Sequence, residues 1–376
     1  MNTILVVNNN FEGAYGSINL FVQEIVYALK KMNQKVFWVN SISEAVELYE
    51  NETIDFSIGI GKYLFYLGEK PLYDLYERMH YQWIIDNPLK IEIDTNSKNI
   101  KYILIDKLFA SCISNARNPF LYLPLGIPNL RTENVLKKEY GIVFSGQIRN
   151  SNKIFEEISL NDKKQEMIKI IDKLTSDLDI LYIPEMMERT EKISMSDRKV
   201  IFSLTNSFIR AYKREKVLNS IKDIPVIIIG DNSSEIVSKN KNILLLGNAS
   251  YYDSFKLMSK YMYSLNVEPN FNTGFHDRIL RAAANGNVVI TNQGDIQQEM
   301  FDDDAVFYNY SNINMIEDKI KRLQKKEAVE MGSRLAEKVF SYFVWEKILD
   351  IIICDFGGIT RNANNRLFRV LGNKTL

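Results

Sequence analysis

Short β-branched runs separated by longer amphipathic segments recur through most of this chain, and that alternation restricts the fold more than any other feature. It is the pattern of parallel strands joined by helical crossovers. In the first third the strand candidates are "ILVV" at 4, "KVFWV" at 35, "DFSIGIG" at 55, "YQWIID" at 81, "KYILID" at 101 and "FLYLP" at 120. Between the first two, the spacing of Leu20, Phe21, Ile25, Val26 and Leu29 predicts a helix with one buried stripe over 16–32. The stretch "PLGIPNLRTENVLKKEYG" (124–141) gathers prolines, glycines and charges without an apolar period, so it reads as a linker. Alternation then resumes with "YGIVFSGQ" at 140, "LDILYIP" at 178, "IPVIIIGD" at 224, "NILLLGN" at 242, "YMYSLNVEP" at 261, "GNVVITN" at 286 and "AVFYN" at 305. The charged segment 150–175 is expected to be a helix, and the chain beyond Ile313 reads as helices. A length of 376 residues exceeds one comfortable core. Two doubly wound α/β domains are the expectation.

Charge excludes several functions. Lys plus Arg and Asp plus Glu both total 47, so no global field recruits nucleic acid or anionic lipid, and any polyanion must be met locally. Cys112 and Cys354 give no disulfide framework, and two histidines leave little for a zinc site. The opening "MNTILVVNNNFEG" lacks the basic region and long apolar run of a secretory signal, and no stretch approaches the length of a membrane span. A cytoplasmic, metal-poor, soluble protein is expected. The closing "RNANNRLFRVLGNKTL" carries Arg361, Arg366, Arg369 and Lys374 without an acid. Such an end can touch a membrane surface or a partner protein, although a solvated terminus is the commoner outcome.

The segment "FNTGFHDRILRAAANGNVVITNQ" (271–293) runs from a polar loop through one short helix into a β-branched strand. In open parallel sheets ligands lie at the carboxyl ends of strands, and the loop 266–274 follows the strand "YSLNV". Gly274 permits close backbone approach. The helix after it presents free N–H groups that favour an anion. Arg278 stands in its first turn, and Arg281 is its neighbour at i+3. On a bland reading Thr273 caps a packing helix and both arginines are solvated. A second feature weighs against that: "IVFSGQIRN" ends the first strand of the same domain in Ser145 and Gly146 and adds Arg149. Arg149 and Arg278 would then grip one diphosphate from two sides.

With these residues in view, "YLPLGIP", "IVFSGQIR", "IPVIIIGD", "ILLLGN" and "LNVEPNFNTGFHDRILRAAANGNVVITN" resemble, in order, the landmarks of bacterial GT-B glycosyltransferases of the spore-maturation CgeB-like group. The resemblance covers about residues 80 to 310. It implies two Rossmann-like domains facing a cleft, with C-terminal helices crossing back onto the first. It further implies an acceptor domain at 1–135 joined by 341–376, and a nucleotide-sugar donor domain at 136–340. Gly274, Arg278 and Gly286 match the pattern, Phe275 and His276 lie within its donor loop, and Gly247 and Asn248 would lie beside the nucleobase. One departure stands out. The group usually has a glutamate three residues after the helix arginine, reaching the ribose, and this chain has Arg281 there. Arginine has no acceptor atom, so either another acid substitutes, or the donor differs, or donor binding has been lost; substitution by Glu268, the nearest acid, is the expectation.

For the base that sugar transfer needs, "YQWIIDNPL" places Asp86 at a strand end before a turn. It resembles the D-x-P segment of CgeB-like proteins and the acidic strand end of phage DNA glucosyltransferases. The bland alternative is a turn-forming Asp. Glu12 and His80 compete with it, and Gly13 and Gly16 suggest that the loop "NNNFEGAYGS" admits an acceptor. "FDDDAVF" (301–307) invites a metal reading, but adjacent carboxylates in such a loop usually face solvent, and no metal site is expected. The function expected is metal-independent transfer from a nucleotide-diphosphate sugar, without a cofactor, to a hydroxyl of a glycan, protein or other acceptor. A non-catalytic GT-B-like partner subunit and a nucleotide-sugar epimerase are the alternatives.

Overall fold

The computed structural model describes residues 1–8, 16–61, 66–90, 93, 96–113, 117–129, 138–234, 236–268 and 270–358. The chain divides into two units, Met1–Leu130 with Phe340–Leu376, and Arg131–Val339.

In the first unit the strands are β1 (Thr3–Val7), β2 (Lys35–Val39), β3 (Phe56–Ile60), the short hairpin β4 (Tyr66–Leu67) and β5 (Lys70–Pro71), β6 (Met79–Ile84), β7 (Ile100–Leu104) and β8 (Leu121–Tyr122). Six of them form a parallel sheet in the order β2-β1-β3-β6-β7-β8. β3 and β7 are buried along their whole length, as strands covered on both faces must be. Helix α1 (Ser17–Lys31) lays Phe21, Val22, Ile25 and Leu29 against it. Gly16, at φ +80°, begins that helix in the left-handed region that glycine adopts without strain. The C-terminal helix Trp345–Phe356 returns to this unit. Trp345 meets Trp83 edge to face at 5.6 Å and donates from Nε1 to Glu24 Oε2 at 2.7 Å. Asp355 accepts from Tyr81 Oη at 2.7 Å and from Lys101 Nζ at 2.6 Å.

The second unit holds β9 (Glu139–Ser145), β10 (Val226–Ile229), β11 (Ile243–Gly247), β12 (Tyr261–Asn266), β13 (Val288–Asn292) and β14 (Val306–Tyr308). They form a six-stranded parallel sheet in the order β11-β10-β9-β12-β13-β14. Strand order therefore reverses between β9 and β12, where open α/β sheets bind ligands. Both sheets agree with the expected doubly wound architecture.

Helices depart from the sequence reading in three places. The segment 178–184 is not a strand: it leads into the helix Tyr182–Arg189, whose first turn contains Pro184, a position where the missing N–H costs nothing. Residues 150–175 form two helices, Ser151–Ser159 and Lys164–Ser176, broken where the Asn161 side chain accepts from the Lys163 backbone. The long helix Met195–Ser220 was not read at all. Charges are scattered along it, and its buried set includes Asn206, Lys213 and Arg214 beside Ile201, Phe202 and Ile209. Within the second unit, Lys138 donates to the carbonyls of Ser259, Tyr261 and Asn285. Burial lowers its pKa to about 8. Among the described residues no helix is long and apolar enough to cross a membrane.

Candidate active site

Three arginines converge on one carboxylate at the switch point of the second sheet. Glu268 follows β12, and its Oε2 lies 3.3 Å from an Nη2 of each of Arg210, Arg214 and Arg278. Side-chain exposure is 1% for Glu268, 6% for Arg214, 12% for Arg278 and 31% for Arg210. A carboxylate so buried is tolerable only when its charge is met, and three guanidiniums more than meet it. Asp277 is the next carboxylate, 2.8 Å from His276 Nδ1. The ring itself is held neutral: burial first, then Arg278, Arg210 and Arg214, push its pKa well below the usual value. Positive charge is left in surplus.

The same surplus acts on the arginines. Burial lowers the pKa of Arg214 to about 9, with Arg210 adding to the effect and Glu268 opposing it. Arg278 is lowered by burial against Glu268 and Asp277. Both remain charged at neutral pH, and an anion bound here would relieve them.

Local structure fixes two of the three. Arg278 is in the first turn of the helix Asp277–Ala284, which His276 caps by accepting the Arg278 N–H; the cap is His276, not Thr273. Arg278 Nη1 donates to the Ser145 carbonyl at the end of β9. Gly146 is required beside it, because a Cβ there would stand 2.8 Å from Arg278 Nη1. Arg214 donates to the Gln147 carbonyl at 2.8 Å and to Val267 at 3.4 Å, with its guanidinium over the Phe144 ring. β9 and β12 are thus tied together around the cluster.

Other expected residues fall in distinct places. Gly274 is buried, and its carbonyl accepts from Gln297 Nε2, which also reaches Phe271 O at 3.4 Å. Phe275 is core, packed on Phe301 at 5.4 Å. Arg281 is buried with its guanidinium 5.1 Å from the Phe255 ring and 5.6 Å from Tyr251; these rings give it a packing role that the i+3 argument did not foresee. Glu268 was expected to reach a ribose, whereas the structure commits its Oε2 to guanidiniums. Arg149 is exposed beyond Ile148. Gly247, at φ +80°, ends β11 and accepts from Gly230 N at 2.9 Å. Asn248 and Gln147 both donate to the Asp231 carboxylate.

In the first unit, Asp86 is exposed two residues past β6, before an Asn87 whose Oδ1 accepts from Leu89 N at 2.9 Å. His80 is no competitor. It is buried in the sheet between Ser57 and Gln82, both at 2.8 Å, and burial lowers its pKa to about 4. Glu12 and Gly13 lie outside the described residues, as does the basic tail. Asp304 pairs with Arg334 at 2.6 Å and Lys338 at 2.7 Å, while Asp302 and Asp303 are exposed. Arg210 and Arg214 escaped the sequence reading. Their i, i+4 spacing was the available signal, hidden among the other charges of "RAYKREK".

Comparison with known proteins agrees with the fold. Residues 207–353 match the family model described as "Glycosyl transferase-like". A search of curated proteins gives no match. Among solved structures, AviGT4, a glycosyltransferase involved in avilamycin A biosynthesis, superposes with a TM-score of 0.57 at 10% identity, covering 96% of this chain and 98% of that one. Sucrose-phosphate synthase from Thermosynechococcus elongatus gives 0.55 at 10% identity, covering 96% and 99%. Anabaena HepE in complex with UDP and glucose gives 0.53 at 11% identity, covering 95% and 100%. At such identities the structures speak for the fold, and the family match speaks for the class. The protein is a glycosyltransferase of the GT-B fold.

Proposed function

We propose that the protein transfers a sugar from a nucleoside-diphosphate donor, held by the second unit, to an acceptor hydroxyl bound by the first. The observation that carries this reading is the surplus of guanidinium charge around Glu268 at the β9/β12 switch point. When the bond from the anomeric carbon to the β-phosphate oxygen breaks, negative charge grows on the diphosphate, and fixed donors aimed at it lower the barrier. Arg278 and the helix N-terminus behind it supply such donors, and Arg149 adds an exposed cation after β9. Cations in that place make transfer independent of a metal ion. Gly146 and Gly274 let the phosphates approach the backbone, while Gly247 and Asn248 lie toward the nucleobase. Glu268 orients the guanidiniums rather than reading the ribose. Asp86, exposed beyond β6, takes the proton of the acceptor hydroxyl. The motifs resemble those of the CgeB-like group.

UDP is the first nucleotide to try, since Anabaena HepE is seen with UDP and glucose. Isothermal titration with UDP and a panel of UDP-sugars should show binding, and UDP release on addition of glycan acceptors should fall ~100-fold or more in Asp86→Asn. No binding by any common nucleotide-sugar would remove the donor reading; full activity in Asp86→Asn would remove only the base. A second reading, a non-catalytic subunit, is favoured by Arg281 at the position where a glutamate is usual. It predicts nucleotide binding without turnover and co-purification with an active homologue.

A further inference from the structure

The three arginines around Glu268 are not equivalent. Arg214 spends its donors on the Gln147 and Val267 carbonyls and on Glu268. Arg278 donates to Ser145 O, to Glu268 and, through Nε, to His276 Nδ1. Among the described residues Arg210 hydrogen-bonds to Glu268 alone, through Nη2 at 3.3 Å, and its buried Nε has no hydrogen-bond partner among them. It is also the most exposed of the three.

Resting on the donor reading above, we infer that Arg210 is the guanidinium that turns from Glu268 onto the donor's diphosphate. The long helix Met195–Ser220 thereby becomes part of the transfer site. Arg214 and Arg278 are anchored by backbone carbonyls and cannot leave without orphaning them. Arg210 leaves nothing unpaired, because Glu268 keeps its other two guanidiniums. A planar fork with free N–H groups suits a phosphate oxygen pair. During transfer the acceptor oxygen bonds to the anomeric carbon, and that carbon's bond to the β-phosphate oxygen breaks. The electron pair stays on the phosphate, where Arg210 meets it, while the hydroxyl proton passes to Asp86.

The test compares Arg210→Met and Arg210→Lys with the unmodified full chain, by calorimetric titration of UDP at two salt concentrations and by thermal unfolding without nucleotide. Arg210→Met should weaken UDP binding by ~10- to 100-fold and flatten its salt dependence, with little change in the unfolding temperature; Arg210→Lys should fall between. A purely structural arginine would lower the unfolding temperature and leave the salt dependence intact, and that result overturns the inference. Unmodified protein that binds UDP as tightly as Arg210→Met overturns it too, while the donor reading stands. Failure of the unmodified protein to bind UDP or any other nucleoside diphosphate overturns both.

Discussion

A methyl group at position 146 would stand 2.8 Å from Arg278 Nη1, so the hydrogen on that glycine is what allows the guanidinium to reach the Ser145 carbonyl. Gly146→Ala is therefore expected to displace Arg278 and weaken UDP binding by ~10-fold, about the worth of one charge-assisted hydrogen bond. The change also strains the backbone, because Gly146 lies at φ +154°, where a side chain is disfavoured, so thermal unfolding without nucleotide is measured beside the affinity. Unchanged affinity would mean that the Arg278–Ser145 contact does not shape the site. Gly146 and Arg278 were both legible as isolated signals in the sequence. Their contact was not, since 131 intervening residues separate them in the chain and only the pairing of β9 with β12 brings them together. Arg210 and Arg214 were illegible for a different reason. A helix arginine looks solvated unless one knows that a buried carboxylate faces it.

Elements show where periodicity is informative and where it fails. Strand runs such as 226–229, uniformly β-branched, declare themselves. The helix Met195–Ser220 does not, because part of its inward face is polar, and a polar stripe that buries against polar partners leaves no apolar period to count. The C-terminal helix is the opposite case, an apolar element whose destination the local sequence does not state. Its polar tie to the first sheet is Asp355, whose side chain is nearly inaccessible and serves both Lys101 and Tyr81. Asp355→Ala leaves a buried ammonium and a buried hydroxyl without their acceptor, at a cost of about 3–5 kcal/mol. All three tryptophans, Trp38, Trp83 and Trp345, belong to the first unit, so urea unfolding followed by tryptophan fluorescence reads this loss directly. A midpoint equal to that of the unmodified protein would show that the helix is held by apolar packing alone.

At the scale of the whole molecule, each unit carries one of the chain's two histidines, His80 buried and His276 partly so, and both have lowered pKa values: His80 to about 4, and His276 well below the usual histidine range. An imidazole that stays neutral in the folded chain takes up its proton only on unfolding, so stability is level above the unfolded pKa near 6.5 and declines as pH falls below it. For His80 the decline amounts to about 3 kcal/mol between pH 6.5 and 4. His80→Gln should flatten this slope in the fluorescence-monitored unfolding of the first unit, and a slope unaltered by that change would place the acid sensitivity elsewhere. By itself the sequence determined the two parallel α/β layers and the loop, helix and strand of 271–293, because burial on both faces of a sheet and the geometry of a helix N-terminus are written in residues close together along the chain. Tertiary structure alone decided which cations share Glu268, that His80 is core, and that Arg281 packs on aromatic rings. Those outcomes depend on charges and rings from distant segments being desolvated together, and the strength of each interaction is set by the neighbours that exclude water from it.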